Sequence, residues 1–451
     1  MTTLEESPAT VLARHSPLFW MAIHAPESVP ADYADYHDQL AAWPDPGEKQ
    51  ARVVFRGAAK STITTGLVLW AIHTARTSGL VWVRATESDC MGDREALDRL
   101  GSLAGMTVEV RASQQMVLVN GVPVWTKTPR GAVRGIKYVG EGGQVFRPDT
   151  AIVDDLETRV TARSKDQTDR LQRWMMADLF GTAGRNRPLR VVFLGTPITP
   201  NSLIARAMRR EPPFDTWLPP LVVPIRTDTG AAWPAMAAEL DDLERTTDDY
   251  TWSTEFLLQS IPEGSLIFPP GRTRWTADEP GAGRGVWIGV DPSGGAADNA
   301  GIVAAHVGPT GLVIPAAECW KGRMEDTAGQ VAAMIRRLTG AGWQVYGVNV
   351  EGVGAWQYLA NDIAATVAPI PVVTETPVVS KLERALPAAA WQKAGAVTLV
   401  DSLRGSLFDV ELHSWTVAGD TVTGHDDMPD AFVWAGGAAT GGWSAPIPVA
   451  A

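Results

Sequence analysis

The sequence predicts an α/β protein made of two successive units. Three observations lead there. Short apolar runs alternate with helix-patterned stretches from residue 52 to 194, a Pro/Gly-rich break follows around Phe268-Pro269-Pro270-Gly271, and a second alternation starts at residue 285. In the first unit, strands are expected at 52–55, 80–84, 151–153 and 189–194, with helices at 61–75, 93–103 and 164–180. That rhythm argues for a largely parallel sheet covered by helices. In the second unit, strands are expected at 285–290, 301–306, 312–318, 345–350 and 397–400. Helices there are expected at 326–338, 355–365, 381–394 and 429–435. The organisation is then an N-terminal segment 1–48 with a short helix near 36–40, a first domain 49–262, a linker 263–280, a second domain 281–437 and a flexible tail 438–451.

At 451 residues the chain has room for two or three domains. It contains no run of 18 apolar residues, so no transmembrane helix and no membrane partner are expected. The N-terminus lacks a basic stretch followed by an apolar core, which argues against a secretory signal. Two cysteines, Cys90 and Cys319, exclude a disulfide framework and a cysteine-rich zinc site, and point to a reducing, intracellular setting. The net charge is −12, and acids outnumber bases on both sides of residue 270. A nucleic-acid-binding protein is more comfortably basic, so any such contact must come from a local, salt-sensitive patch. Most of the 18 tryptophans are expected in the core, since burial is the commoner use of an aromatic ring.

The apolar run Val53-Val54-Phe55 leads directly into Arg56-Gly57-Ala58-Ala59-Lys60-Ser61-Thr62. A nucleoside triphosphate needs converging backbone amides, an ammonium between its β and γ phosphates, and a hydroxyl on magnesium. Gly57 permits a tight loop, Lys60 supplies the ammonium, and Ser61 or Thr62 supplies the hydroxyl. The general pattern GxxxxGK[ST] is not met, because Val54 and Ala59 stand at its two glycine positions. Taken alone, the string is equally a strand–turn–helix with a surface lysine. A second apolar run, Ala151-Ile152-Val153, ends in Asp154-Asp155. Asp154 should sit at the C-terminal edge of the sheet, where ligands bind in open α/β folds. It can hold magnesium through a water, and Asp155 or Glu157 can polarise an attacking water. The plain alternative is a solvated strand end.

Together these residues resemble the large terminase subunit of tailed bacteriophages, the motor that packages DNA into proheads. The family's deviant phosphate loop, RGxxKS, is matched by residues 56–61. The ArgGly pair that the family carries ahead of the acidic strand is matched by Arg134-Gly135, 20 residues before Asp154. By resemblance Arg134 is an arginine finger for its own or a neighbouring subunit's ATP. Leu194-Gly195-Thr196-Pro197 looks like the family's coupling motif, with Thr196 sensing the γ-phosphate. The resemblance implies a P-loop ATPase domain of the ASCE type that uses ATP and Mg²⁺.

The distal half places acids at the ends of three separate elements. Asp291 closes an apolar run and precedes Pro292-Ser293-Gly294, Glu351 closes another, and Asp426, Asp427 and Asp430 open the last apolar helix. Each has a plain reading as a turn, a strand end or a helix cap. Metal-dependent phosphodiester cleavage, however, needs carboxylates from different elements around two Mg²⁺ or Mn²⁺ ions. First-strand Asp, later-strand Glu and final-helix Asp is the layout of RNase H-like nucleases, including the terminase nuclease domain. The expected ligands are Asp291, Glu351 and Asp427, with Asp430 one helical turn away on the same face. Lys381 and Arg384 match a family helix that can approach DNA phosphates.

The resemblance thus implies a packaging enzyme, an ATPase and metal-dependent DNA endonuclease. It would act on double-stranded DNA with a portal protein and a small terminase subunit, as a ring of five copies. Its place would be the host cytoplasm and, transiently, the prohead portal vertex, outside the mature virion. The competing readings are a helicase-like ATPase with an inactive distal binding domain, and a non-enzymatic assembly adaptor. The adaptor reading predicts loss of Lys60 or the acids, and the helicase reading predicts a second motor domain. The sequence has neither.

Overall fold

The computed structural model describes the chain apart from residues 1–7, 30–31, 141, 185–186, 262–263, 279–280, 293–298, 322–325, 353–355, 420, 422–423, 444, 446 and 448–451. The turn expected after Pro292 and the start of the helix expected at 355 lie outside the described residues. The chain divides into two compact units, one of residues 1–238 and 253–261, the other of residues 239–252 and 262–451.

The first unit is built on an eight-stranded sheet. Its spatial order is Leu221–Val223, Lys49–Val54, Arg190–Leu194, Thr150–Asp154, Leu80–Val83, Val122–Lys127, Met116–Val119, Val108–Arg111. Neighbours are parallel from Leu221–Val223 through Val122–Lys127, and the last two pairings are antiparallel. Leu80–Val83 and Thr150–Asp154 are buried at every residue, which is why they read as continuous apolar runs rather than alternating ones. The antiparallel extension was not expected. Its turn is Asn120-Gly121, with φ of 48° and 78°, joining Val119 to Val122. Two positive φ values in a two-residue loop make the turn that suits strand twist, and Asn-Gly is its strongest sequence signal.

The described residues ahead of Lys49 pack on this unit. Met21, on helix Pro17–His24, lies so close to Gly66 that a Cβ there would stand 2.2 Å from the Met21 sulfur. The Trp70 indole donates to the Ala13 carbonyl at 2.9 Å. Arg52, fully buried in the strand that leads to the phosphate loop, donates to the carbonyls of Leu40 and Ala42. Burial without an acidic partner pulls its guanidinium down to about 10.

The second unit has a seven-stranded sheet in the order Arg274–Thr276, Val397–Val400, Gly311–Lys321, Asn299–Gly308, Gly285–Asp291, Gln344–Glu351, Val372–Glu375. The three long central strands form an antiparallel meander, and the flanking strands pair parallel. Two expected boundaries move. Residues 239–252, expected in the first domain, belong here: Asp249 pairs with Arg272 and, at 3.3 Å, with Lys393, whose ammonium also sits 5.7 Å over the Trp252 ring. The expected linker 263–280 is partly structured, because Arg274–Thr276 is the edge strand beside Val397–Val400. The last helix, Asp427–Thr440, runs past the expected end of the domain and presses on the sheet. At Gly289 a Cβ would stand 2.2 Å from the Ala431 carbonyl oxygen, and at Gly301 it would stand 2.6 Å from that of Asp427.

Gly289→Ala should therefore push backbone against backbone and destabilise the protein by about 2 kcal/mol. Gly329→Ala, in the helix Thr327–Gly340 with open space around its Cα, should instead stabilise by roughly 0.5–1 kcal/mol. Urea unfolding of the two variants checks both signs.

Candidate active sites

The strand Lys49–Val54 passes through Phe55–Ala59 into the helix Lys60–His73. Gly57 has φ +88° and Ala59 has φ +58°, the left-handed region. Ala59 thus adopts the backbone that glycine has in the general pattern, at a cost of about 1–2 kcal/mol. The helix begins at Lys60, and its N-terminus opens on a cleft of about 570 Å³. Gly57, Lys60, Ser61, Thr62 and Thr196 line it, together with Asp155 and Glu157. The positive end of the helix dipole favours an anion there.

The Lys60 ammonium lies 2.9 Å from both carboxylate oxygens of Asp155 and 3.3 Å from Asp154. Asp154, fully buried at its strand end, takes a second cation: Arg84 reaches its other oxygen at 2.6 Å and holds Asp93 at 3.0 Å. Burial pushes Asp154 above the usual carboxylate range, against the opposing pull of Lys60. Burial likewise raises Asp93 to about 6. Asp154 sits behind Lys60 and does not line the cleft. Asp155 does, with its side chain about half exposed, and it too has a positive φ of 43°.

Glu157 accepts from the Thr168 hydroxyl at 2.9 Å and from the Leu203 amide at 2.6 Å. Burial lifts its carboxyl to about 7. Two further guanidiniums line the cleft, Arg56 and Arg159, and each bonds Glu255 at 2.9 Å. Arg134 is elsewhere: it is exposed, 3.9 Å from Asp178, and lines no part of the cleft.

In the second unit the acids meet at one sheet edge. Asp291 and Glu351 end adjacent parallel strands, and Asp427 and Asp430 occupy the first turn of the helix Asp427–Thr440. Burial raises Asp291 well above its ordinary range, and the charges of Asp430, Glu351 and Asp427 raise it further. Cations from the helix Lys381–Lys393 answer them. Lys381 reaches Asp430 at 2.7 Å and Asp426 at 2.9 Å; Arg384 reaches Asp430 at 3.2 Å and Glu351 at 3.5 Å. Arg384 also stacks 4.8 Å over the Trp434 ring. Among the described residues no three His, Cys, Asp or Glu side chains are arranged as they stand to hold a metal ion. The donors are nonetheless all carboxylate oxygens crowded enough to need a cation, which suits hard divalent ions.

Residues 288–436 match the family model described as the terminase RNaseH-like domain. That match lies within the distal unit and covers about a third of the chain. The chain is also similar to the large terminase of the thermophilic bacteriophage D6E, with a TM-score of 0.62 at 11% identity over 90% of this chain and 99% of that one. The D6E protein in complex with ADP gives 0.60 at 10% identity, and in complex with ATP-γ-S 0.61 at 10%, each over the same shares. No curated protein matches by sequence. The fold is that of a full-length large terminase. Among the described residues no helix is long and apolar enough to cross a membrane.

Arg159 and Glu255, which line the Lys60 cleft, and Arg84, which holds Asp154 behind it, were not expected. Arg84 carried one signal, its place at the end of an apolar strand neighbouring the Asp154 strand. Glu255 carried none, lying far along the chain. Arg84→Leu should leave Asp154 short of one cation and destabilise the protein by about 3 kcal/mol, read from its urea midpoint.

Glu157 gives a pH signature. Its folded value of about 7 lies above the ordinary 4.5, so the folded state binds the extra proton between these pH values. The contribution of Glu157 to stability is fully present below about pH 4.5, falls as pH rises, and is lost above about pH 7, with a slope of roughly 1.4 kcal/mol per unit. Glu157→Gln should remove that decline. The gap between variant and parent urea midpoints should widen in the variant's favour from pH 5 to pH 7.5.

Proposed function

We propose that the chain is a DNA-packaging terminase large subunit. In this reading ATP hydrolysis in the first unit drives double-stranded DNA into a prohead, and the second unit is an endonuclease that cuts the concatemer. One observation carries it: on a large-terminase fold, each unit gathers its own set of carboxylates and cations at a sheet edge, Lys60 with Asp154 and Asp155 in one, Asp291, Glu351, Asp427 and Asp430 in the other. The complexes of the D6E protein with ADP and ATP-γ-S support nucleotide use by the first unit.

In the motor site Lys60 and the amides from Gly57 onward grip the phosphates of ATP, assisted by Arg56. Ser61 or Thr62, with Asp154 behind, would hold the accompanying Mg²⁺. A phosphate entering the cleft competes with Asp155 for the Lys60 ammonium, and the released Asp155 carboxylate orients the attacking water. Glu157, anchored by Thr168 and Leu203, keeps the turn after Asp155 in place. Thr196, at the end of its strand, senses the γ-phosphate. Arg134, exposed and outside its own cleft, would then serve a neighbouring subunit.

In the nuclease site Asp291, Glu351, Asp427 and Asp430 would hold two Mg²⁺ or Mn²⁺ ions. Such a pair, when bound, activates water and stabilises the leaving oxygen. Lys381 and Arg384 then exchange carboxylate for DNA phosphate. The partners in this reading are a portal protein, a small terminase subunit and further copies in a ring of five, assembled from the host cytoplasm at the prohead portal.

The two sites should fail independently. Lys60→Ala should abolish ATP turnover and keep Mn²⁺-dependent plasmid cleavage, while Asp291→Ala should do the reverse. Loss of both activities in either variant, or of neither, would refute the assignment.

A further inference from the structure

The first unit has a second cleft on the same sheet edge. It has a volume of about 800 Å³ and lies beyond the C-terminal ends of three adjacent parallel strands, Leu80–Val83, Val122–Lys127 and Thr150–Asp154. Helix Lys165–Trp174 supplies another side. Two arginines line it, Arg130 and Arg170, and both are exposed. Neither forms an ion pair among the described residues. The one carboxylate lining the cleft, Glu87, is already held by Arg94 at 2.8 Å and by the Gln115 amide at 3.1 Å. In a chain of net charge −12, two unneutralised guanidiniums in one concave site are a local exception.

The wall of this cleft is shared. Asp155, Glu157 and Arg159 line the nucleotide cleft, whereas Leu156, Thr158 and Val160 line the second one. From 155 to 160, through a short loop and into the helix Arg159–Arg163, alternate side chains thus line the two clefts. A displacement of Asp155 or Glu157 must shift the residues between them.

We propose that Arg130 and Arg170 grip the sugar-phosphate backbone of double-stranded DNA in this cleft, and that the strip 155–160 couples that grip to the nucleotide site. The inference rests on the motor reading. Guanidinium groups match phosphate oxygens in pairs, and their planar forks keep register on a backbone without reading sequence. The hydroxyl of Thr128 and the amide of Gln167, also on the lining, add neutral donors. The grip is then independent of sequence, as translocation along any DNA requires.

The test uses the full chain with a short duplex, read by fluorescence anisotropy across a salt series, and ATP turnover with and without that duplex. The Arg130→Ala/Arg170→Ala double variant should keep its DNA-free ATP turnover. Its log–log salt slope for duplex binding should fall by about 1.8, the share of two phosphate contacts. Duplex stimulation of turnover should be lost. Arg130→Lys/Arg170→Lys, which keeps the charge, should retain most of the slope. An unchanged slope in the alanine variant overturns the cleft, and if the parent still hydrolyses ATP the motor reading stands. A parent with no ATP turnover overturns the motor reading, and the duplex slope still decides the cleft.

Discussion

A carboxylate buried at a strand end cannot stay charged without a cation against it, and both sites are organised by that constraint. Asp154 is fully buried and meets Lys60 on one oxygen and Arg84 on the other. This pairing fixes where Lys60 points, and Lys60 in turn holds the half-exposed Asp155. The loop, the helix start and the acidic strand are locked to one another through a single ammonium. The same ammonium is what a phosphate in the cleft would claim. In the proposed motor site, the neutralisation that keeps the fold intact and the phosphate grip would draw on one charge, and Asp155 would respond to the ligand.

The distal unit solves the same problem with a separate helix. Asp291, Glu351, Asp427 and Asp430 come from three elements and raise one another's cost of ionisation. Lys381 and Arg384 carry the balancing charge from a helix that is not one of the three. This is possible only because the helix Asp427–Thr440 sits unusually close to the sheet, over Gly289 and Gly301. Glycine in the strand is thus a condition of the acid cluster. Cations that answer the carboxylates are also cations that can turn to a nucleic-acid phosphate.

Much of this was legible in the sequence because the deciding signals are local. Lys60 follows an apolar strand, Asp154 ends one, and Asp291 ends another; adjacency in the chain was enough to place each. Ala59 looked like a defect in the loop, and its left-handed backbone shows that the conformation, not the glycine, is what the loop needs. What stayed hidden depends on distance in sequence. Arg84 meets Asp154 across a strand pairing, and Glu255 meets Arg56 across most of the unit. Residues 239–252 joined the second unit through Asp249, whose partners Arg272 and Lys393 lie beyond the apparent boundary. The Asn120-Gly121 hairpin is the exception, a local signal that was present and unread. The placement of Arg134 outside its own cleft could not be read at all, because an exposed loop arginine has no pattern.

The most direct measurement of the shared ammonium is a crystal structure with a non-hydrolysable ATP analogue and Mg²⁺. Phosphate oxygens should lie within hydrogen-bond distance of the Lys60 Nζ, with the Asp155 carboxylate moved off its present 2.9 Å contact and the Arg84–Asp154 pair kept. A nucleotide bound away from Lys60, or bound there with both Lys60–Asp155 hydrogen bonds still closed, would contradict that sharing.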